Sequence, residues 1–384
     1  MGLGFFNKKQ NIKNMKKLLS LLAFAAVYTL NTSAQIAEGF YHVQNAYTGR
    51  YISIEDNNPN NYPINTKAGT VNMAGIRTLK NMSRVSTSPS TVIYVKNISG
   101  NKYDLEGQGT SLYKISSNRL YIILDPQSDG SYKAKTSKYE GVELTISDGT
   151  DKDKDEDFLR NKAPESSYWK ALPINNSDQY IGIKPDVQTN DGYYGTIFAG
   201  FAFKLASGGM KAYYINSAGG SQFSLKEYTD EIIPANMPVI IKCSSNDPAS
   251  NKITPVASGG KNPSDNKLGG VYCACLVSKH LNAKLFDPTS MRLIGTDNGK
   301  LAFVKNPTNL VEGKYLPANK AYLSVTGAAD ILTQDGITAI VNIEAEEKNN
   351  APEGTFTLTG VRIPDGVTPK AGVYIKNGKK VVIK

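Results

Sequence analysis

Apolar and polar side chains alternate in short runs along most of this chain, and Gly, Asn and Asp separate the runs. The first clear example places Tyr41 and Val43 on one strand and Ile52 and Ile54 on a returning strand, with Thr48-Gly49 at the turn between them. Few segments show the spacing of an amphipathic helix. The pattern therefore predicts an all-β protein built from short strands and turns.

Three strand–turn–strand phrases begin near residues 39, 91 and 131. Each phrase is too short to bury its own apolar face, and three such units can pack around a pseudo-threefold axis. Residues 36–174 resemble the ricin-type β-trefoil, most clearly in the first hairpin, and we predict a β-trefoil-like domain over residues 35–169. Ricin-type lectins usually carry Q-x-W in each unit, whereas this chain has the single tryptophan Trp169 and no such phrase. No binding residue of that family is therefore transferred to these positions.

A second domain is predicted over residues 170–333 because its sequence is duplicated. Met210–Asn236 and Met291–Asn319 both read as strand, glycine-containing turn, strand and then Pro-Ala-Asn, and a further strand follows each copy. Pro fixes φ and Asn tolerates a left-handed backbone, so Pro-Ala-Asn predicts a corner between strands. Two related three-stranded units facing each other would close a β-sandwich.

The end of the chain predicts a linker over residues 334–354, rich in charged and turn-forming residues, and a short β-hairpin tail over residues 355–384. Asn377-Gly378 is the expected hairpin turn. The phrases Thr359–Arg362 and Gly372–Gly378 resemble the C-terminal sorting tails of Bacteroidetes, of the kind read by type IX secretion, although Val361 departs from the usual dipeptide. This resemblance implies delivery to the envelope or the cell surface.

Most of the chain also resembles a class of uncharacterised exported proteins from Bacteroidetes. The phrases that carry this resemblance are Tyr180–Pro185, Gly209–Tyr214 and the two Pro-Ala-Asn corners. The class has no established activity, so the resemblance implies an exported protein and no particular chemistry.

An export signal is predicted at the start of the chain. Lys16 and Lys17 precede an apolar core from Leu18 to Leu30, and small residues end at Ala34. A core of this length is shorter than the roughly 20 residues that a membrane-spanning helix needs. We predict cleavage between Ala34 and Gln35, so that residues 1–34 are leader and signal peptide, with residues 1–14 a basic extension or the product of a start codon assigned too early. The mature protein is then secreted or held at the cell surface, with outer-membrane attachment open and no membrane span.

The formal net charge of +10 lies mainly at the two ends of the chain. Residues 1–34 hold five lysines and no acid, and residues 355–384 hold six basic residues and one acid. Between residues 35 and 354 the basic and acidic residues balance, 33 against 33. A neutral body lacks the basic surface that nucleic-acid binding requires, so nucleic acid is not expected as a partner.

Few residues offer catalytic chemistry. The two histidines, His42 and His280, lie in no signature phrase, and neither a G-x-S-x-G elbow nor an H-E-x-x-H motif occurs. His42 alternates with Phe40 and Gln44 on the opening strand, which indicates a packed or surface position. We predict no catalytic residue and interpret the protein as not an enzyme. A glycoside hydrolase, which needs just two carboxylates, is the lesser alternative.

Three cysteines, Cys243, Cys273 and Cys275, fall in the second predicted domain. We interpret them as buried small apolar residues. A disulfide between Cys243 and either of the others is one alternative, and a zinc site completed by His280 is another. The C-x-C-x4-H spacing lacks the usual zinc knuckle, so neither a metal nor a cofactor is predicted.

An acidic stretch from Asp148 to Asp157 interrupts the third hairpin unit. Its alternate acids from Asp151 onward are spaced like the start of a calcium loop. Glu156 stands where that loop needs glycine, however, and Lys162 stands where it needs a bidentate Glu. The interleaved lysines favour a solvated loop.

Tyrosine-containing loops suggest the ligand class. Tyrosine rings can pack on the C–H face of a sugar while Asn and Asp supply hydrogen bonds, and the loops Tyr47–Arg50, Asp56–Asn58 and Asn190–Tyr194 combine these residue types. Tyrosine is also a favoured strand residue, so these positions have a structural explanation as well. The leading hypothesis is an exported binding or adhesion protein with glycan ligands. The alternative is a structural envelope or matrix component that binds cell-envelope proteins.

Overall fold

The computed structural model describes residues 35–56, 62–66, 69–79, 82, 85–115, 118–137, 143–144, 167–273, 283–334, 354–358, 360–364, 366–377 and 379–383. These residues form 31 strands and two short 3-10 helices, Pro89–Thr91 and Pro248–Ser250, so the predicted all-β class is confirmed. None of the described segments is a helix long and apolar enough to cross a membrane. The predicted signal peptide and its cleavage site at Ala34, the acidic stretch Asp148–Asp157, Cys275 and His280 lie outside the described residues.

The chain divides into two compact units, Met1–Thr333 and Gln334–Lys384. The first fourteen strands belong to the region predicted as trefoil-like. They are β1 (Gly39–Asn45), β2 (Tyr51–Asp56), β3 (Tyr62–Thr66), β4 (Gly69–Met73), β5 (Gly75–Leu79), β6 (Val85–Ser86), β7 (Ile93–Ser99), β8 (Lys102–Gly107), β9 (Thr110–Ser111), β10 (Tyr113–Ile115), β11 (Asn118–Arg119), β12 (Ile122–Pro126), β13 (Tyr132–Thr136) and β14 (Tyr168–Pro173).

Six of these strands close a barrel in the order β14-β13-β12-β8-β7-β1, because β1 also pairs with β14. Of the remaining strands, β2 and β5 extend this sheet, β9 pairs with β8, and β11-β10-β4-β3 form a four-stranded sheet. Strand β6 joins a sheet of the following region. A closed barrel removes the unpaired sheet edges that a short-stranded protein would otherwise expose. The predicted β-trefoil-like fold is confirmed in this barrel and its additional hairpins.

The alternating pattern places one face of each barrel strand in a shared apolar core. Val43, Ile52 and Ile54 from the first hairpin lie there, as the sequence pattern predicted. Trp169 packs among them and donates its indole N–H to the Leu144 carbonyl at 3.0 Å. Burial of each such aliphatic side chain stabilises the fold by about 1.5–3 kcal/mol. The space left inside the barrel is an apolar cavity of about 20 Å³.

Thirteen further strands follow. They are β15 (Tyr180–Gly182), β16 (Val187–Thr189), β17 (Gly192–Ile197), β18 (Ala202–Leu205), β19 (Lys211–Gly219), β20 (Gln222–Tyr228), β21 (Val239–Cys243), β22 (Lys252–Val256), β23 (Leu268–Val271), β24 (Met291–Asp297), β25 (Lys300–Val304), β26 (Lys320–Ser324) and β27 (Ile331–Gln334).

Ten of these strands form one sheet in the order β16-β17-β21-β19-β20-β27-β25-β24-β26-β23. The predicted duplication is visible in this order, since β17-β21-β19-β20 and β23-β26-β24-β25 are equivalent series. Each predicted three-stranded unit therefore gains a fourth strand, and β27 joins the two halves between β20 and β25. Phe223 of one half and Phe303 of the other meet edge to face, with ring centroids 5.3 Å apart.

A second, four-stranded sheet has the order β18-β22-β15-β6 and packs on the first half of the ten-stranded sheet. Their shared core contains Ile181 and Ile253 from the small sheet and Val239 and Ile241 from the large one. This sandwich joins the small sheet to the first repeat, whereas the sequence predicted a sandwich closed by the two repeats facing each other. Val92, from the first region, also lies in this core. The barrel region and the sandwich region are thus in direct apolar contact.

The C-terminal unit contains β28 (Thr355–Thr357), β29 (Arg362–Ile363), β30 (Gly372–Lys376) and β31 (Lys379–Ile383) in one sheet of order β29-β28-β30-β31. The predicted hairpin is β30–β31, and Asn377 takes a left-handed conformation at its turn, with φ 50°. Gly378 and most of the predicted linker, residues 335–353, lie outside the described residues.

Candidate functional site

Both Pro-Ala-Asn corners hold the same segment of backbone. Asn236 and Asn319 have φ values of 63° and 56°, so each asparagine takes the left-handed conformation that the sequence predicted. The Asn236 amide N–H donates to the Ala199 carbonyl at 2.8 Å, and the Phe198 amide N–H donates to the Asn319 carbonyl at 2.9 Å. Two copies of one motif therefore converge on residues 198–199, which follow β17.

The same segment contacts the barrel region. The Gly200 amide N–H donates to Gln108 Oε1 at 2.7 Å. A Cβ atom on Gly200 would lie 2.3 Å from the carbonyl carbon and oxygen of Gln108, so this close approach requires glycine. Gln108 itself is buried with φ 50°. Residues 198–200 therefore contact the two corners on one side and the barrel region on the other.

A cavity of about 110 Å³ lies beside these contacts, and we refer to it as the corner cavity. Its walls come from the segment before the first 3-10 helix, from the ends of β15 and β17, and from the second corner. The lining residues are Thr87, Ser88, Pro89, Ile183, Lys184, Thr196, Ile197, Ala318, Asn319 and Lys320. Thr87 and Lys184 are exposed, so the cavity reaches the surface.

Asn319 supplies the most informative group in the corner cavity. The residue is 3 % exposed, and its Nδ2 donates to the Phe198 carbonyl at 3.1 Å. With the amide flipped, Asn319 Oδ1 would face the Phe198 carbonyl oxygen, and two acceptors would repel each other. Nδ2 therefore makes this bond, and Oδ1 is the amide atom left to accept another. Oδ1 has no hydrogen-bond partner among the described residues. A buried acceptor of this kind is stabilised when a ligand or a water donates to it.

One charged pair borders the corner cavity. Lys320 Nζ lies 2.7 Å from Asp186 Oδ1, and both side chains are largely buried. The other oxygen, Oδ2, accepts from the Thr196 amide N–H at 2.7 Å and from its hydroxyl at 3.2 Å. The charges of Lys320 and Asp186 cancel, so Lys184 is the lining cation without an ion-pair partner among the described residues.

The hydroxyl groups of Thr87 and Ser88 line the barrel side of the corner cavity, and buried hydroxyl groups lie behind them. Ser88 Oγ lies within 2.5 Å of Ser90 Oγ, which is 2.9 Å from Ser53 Oγ. Ser86 Oγ is 2.8 Å from Thr91 Oγ1. Hydroxyl groups both donate and accept, so this wall can exchange hydrogen bonds with a hydroxylated ligand.

The predicted tyrosine loops differ in what they expose. Tyr47 is 60 % exposed at its turn, which is braced by Asn45 Oδ1 accepting from the Thr48 amide N–H at 2.9 Å. Tyr194 is buried and donates its hydroxyl to Asp191 at 2.8 Å. Burial and Asp191 together raise the pKa of Tyr194. Asp56 is buried as well, while its neighbours 57–58 lie outside the described residues.

Lysine side chains lie over the rings of many tyrosines, Tyr194 among them. A lysine Nζ lies over the ring of each of seven tyrosines, at 4.1 to 6.0 Å from the centroid. These rings are Tyr121, Tyr168, Tyr180, Tyr194, Tyr214, Tyr315 and Tyr322. A ring face occupied by an ammonium group is not available for stacking on a sugar. Tyr47 is the aromatic side chain that stands well exposed in the described part of the chain.

His42 lies on β1 with no solvent exposure, which confirms that this residue is packed in the interior. Its Nδ1 donates to Gln179 Oε1 at 2.9 Å, and Nε2 has no hydrogen-bond partner among the described residues. Burial lowers the pKa of His42, and the bond to Gln179 opposes that shift. His42 therefore acts as a neutral structural residue between the barrel region and the residues before β15.

Cys243 and Cys273 are both buried, and no disulfide joins them. Burial raises the pKa of the Cys243 thiol to about 12, so it is protonated and unreactive at neutral pH. Within the described ranges no group of three or more His, Cys, Asp or Glu residues is arranged to hold a metal ion. Cys243 is a free thiol, and Cys275, its other candidate partner, lies outside the described residues.

Two carboxylates on β8, those of Asp104 and Glu106, share one arginine. Arg119 Nη1 lies 2.8 Å from Asp104 and 3.0 Å from Glu106. Burial and the Asp104 charge raise the pKa of Glu106. Asp104 is fully buried and also accepts from Ser111 at 2.6 Å, and neither carboxylate lines the corner cavity. We interpret this cluster as a structural ion group.

No protein-family model matches the chain, and no curated protein matches it either. Among solved structures, a chain described as "Structure and mode of action of a mosquitocidal holotoxin" is 11 % identical, with a TM-score of 0.28. That match covers 85 % of this chain and 37 % of the other, so this chain spans little more than a third of the holotoxin chain. A similarity at this level supports no conclusion about fold or function. The fold described above is assigned from strand pairing alone.

Proposed function

We propose that this chain is an exported, non-catalytic binding protein, that glycans are its ligand class, and that the corner cavity is its binding site. The observation that carries the proposal is that Asn319 lines the cavity and that its buried Oδ1 has no hydrogen-bond partner among the described residues. A sugar hydroxyl is the donor that fits, because the same cavity offers Ser88 and Thr87 hydroxyls for its lone pairs.

The size of the corner cavity limits what part of a glycan it takes. A volume of about 110 Å³ corresponds to roughly four waters at about 30 Å³ each. Sites for whole drug-sized ligands run to about 300–1,000 Å³. The cavity therefore receives the hydroxylated edge of one sugar residue, and Lys184 at its mouth favours a sugar that also carries a carboxylate.

A glycan array probed with the chain from Gln35 to Lys384 tests the ligand class. Ala318→Leu fills the cavity without removing a polar group, and Ala235→Leu makes the same change at the first corner. We expect titration calorimetry with the best array ligand to show at least a tenfold loss of affinity for Ala318→Leu and an unchanged affinity for Ala235→Leu.

Three outcomes would contradict the proposal. Absence of binding to any glycan on the array would remove the ligand class. Equal affinity in Ala318→Leu and the original chain would remove the corner cavity as the site, and loss of binding in Tyr47→Ala instead would move the site to the Tyr47 turn. A stable protein partner recovered from an outer-membrane fraction, insensitive to sugar competition, would favour the structural envelope alternative.

A further inference from the structure

The C-terminal unit has an exposed sheet surface of unusual composition. Among the described residues, half of the exposed large apolar side chains belong to the C-terminal unit, although this unit is a small part of the described chain. They are Leu358 (66 %), Val361 (63 %), Val367 (56 %) and Val382 (66 %). None of the described residues of this unit is fully buried. Exposed apolar groups concentrated in this way mark an interaction surface.

Strand register shows which side chains share one face of this sheet. Phe356 lies opposite both Arg362 and Ile375, and Ile375 lies opposite Lys380. Val373 and Val382 face each other two residues further along. Residues directly opposite, and residues two apart, project from the same side of a sheet. We call this side the tail face, which consists of Phe356, Arg362, Val373, Ile375, Lys380 and Val382.

The exposed turn at Leu358 and Val361 lies at one end of this sheet. Thr357 pairs with Tyr374, and Gly372 pairs with Ile383, so the β28–β29 turn is at the end where β30 begins and β31 finishes. Val373 and Val382 of the tail face are near that same end. Apolar groups on the turn and on the tail face therefore form one neighbouring set.

The charge of this unit identifies the occupant. Residues 355–384 hold six basic residues and one acid, and Arg362 and Lys380 of the tail face are both exposed. A second copy of the chain would bring two basic faces together, which like-charge repulsion opposes. We propose that the tail face binds an anionic lipid surface. The apolar side chains enter the headgroup boundary, and Arg362 and Lys380 place their charged ends among the lipid phosphates.

Co-sedimentation of the chain from Gln35 to Lys384 with vesicles tests this inference. We expect binding to vesicles of equal parts phosphatidylglycerol and phosphatidylcholine, and at least tenfold weaker binding to phosphatidylcholine alone. Salt at about 1 M, where the Debye length is about 3 Å, should release most of the bound protein. This test does not involve the corner cavity, so its result is independent of glycan binding.

Two double variants separate the charged and the apolar contributions. Arg362→Gln with Lys380→Gln should weaken vesicle binding about tenfold or more, since each basic residue near an anionic surface contributes about fivefold. Leu358→Ser with Val361→Ser should weaken it by a similar factor. The matched controls are Lys300→Gln and Leu285→Ser, which alter exposed residues outside this unit and should leave binding unchanged.

All four substitutions are at exposed positions, so circular dichroism should show unchanged folding in every variant. Equal binding to neutral and anionic vesicles would overturn the inference, as would absence of binding. A dimer of the full chain that dissociates in the Leu358→Ser, Val361→Ser variant would assign the turn and the neighbouring tail face to a second copy instead.

Discussion

The two Pro-Ala-Asn corners have the same sequence and the same left-handed asparagine, yet they differ in burial, and the second corner lines the corner cavity. Asn236 is exposed and uses its backbone N–H to hold Ala199. Asn319 is buried, lines the corner cavity and uses its side chain to hold Phe198, and its Oδ1 has no hydrogen-bond partner among the described residues. The difference arises from what packs against each corner, because residues 87–89 cover the second one. The repeated motif thus determines the local backbone conformation, and the residues packed against it determine whether it lines a cavity.

The largest effect is expected where both corners meet the barrel. Gly200→Ala would place a methyl group 2.3 Å from the Gln108 backbone, and we expect a loss of about 3 kcal/mol or more in the free energy of unfolding. Gly208→Ala is the matched control, because no atom lies within 4 Å of its Cβ position. Urea denaturation measures both, and equal stability in the two variants would show that the corners do not depend on this contact.

Substitution of each asparagine by glycine compares the two corners directly. Glycine keeps the left-handed backbone in both positions, so only the side chain is lost. Asn319→Gly should lower the free energy of unfolding by about 1–2 kcal/mol, since the buried Phe198 carbonyl loses its donor. Asn236→Gly should stay within about 0.5 kcal/mol of the original protein. Equal losses in chemical denaturation would mean that the two corners are energetically equivalent.

The residue that follows each corner sharpens the comparison. Met237 follows the first corner and is fully buried, whereas Lys320 follows the second and pairs with Asp186. Lys320→Met leaves a largely buried carboxylate without its cation and should destabilise the protein by about 1 kcal/mol or slightly more. Lys305→Met breaks the more exposed pair with Asp330 and should change stability by less than about 0.5 kcal/mol. Thermal denaturation of both variants should preserve this order.

The smallest effect concerns a contact that involves neither corner. Burial lowers the pKa of His42 below the unfolded value of about 6.5, with the Gln179 bond opposing the shift. The unfolded chain therefore binds a proton that the folded chain excludes, so stability is full above the unfolded pKa and falls as the pH is lowered through it. Between pH 7 and pH 6 the loss should be at most about 0.7 kcal/mol.

His42→Gln should abolish this part of the pH dependence, measured as the difference between urea titrations of the two proteins at each pH. A pH dependence that is identical in both would show that burial does not lower the pKa of His42 in the folded chain.

The sequence predicted those parts of the fold that local rules determine. Alternation placed Val43, Ile52 and Ile54 in the barrel core, and the Pro-Ala-Asn phrase predicted the left-handed asparagines. Asn377 at the tail hairpin follows from the same rule. Strand order was harder to predict, because β27 joins the two repeats through pairings that no local pattern specifies.

The candidate site could not be predicted, since its walls come from distant segments. Thr87 and Ser88 have no distinguishing motif, and the second corner reads the same as the first in sequence. The tyrosine loops were the better sequence signal, but lysines occupy many of the rings, and Tyr194 is buried. Whether a lysine lies over a tyrosine ring depends on tertiary packing, and neither the alternation pattern nor the composition of the sequence specifies that packing.

Strand β27 has a practical consequence for dissecting this protein. Its four residues, Ile331–Gln334, are the only backbone between β20 and β25 in the ten-stranded sheet. A fragment that stops at residue 330 would leave two long strands with open hydrogen-bonding edges beside each other, and such edges promote aggregation. Expression of either repeat by itself would create the same problem. Truncations intended to isolate the sandwich should therefore retain residues up to at least 334.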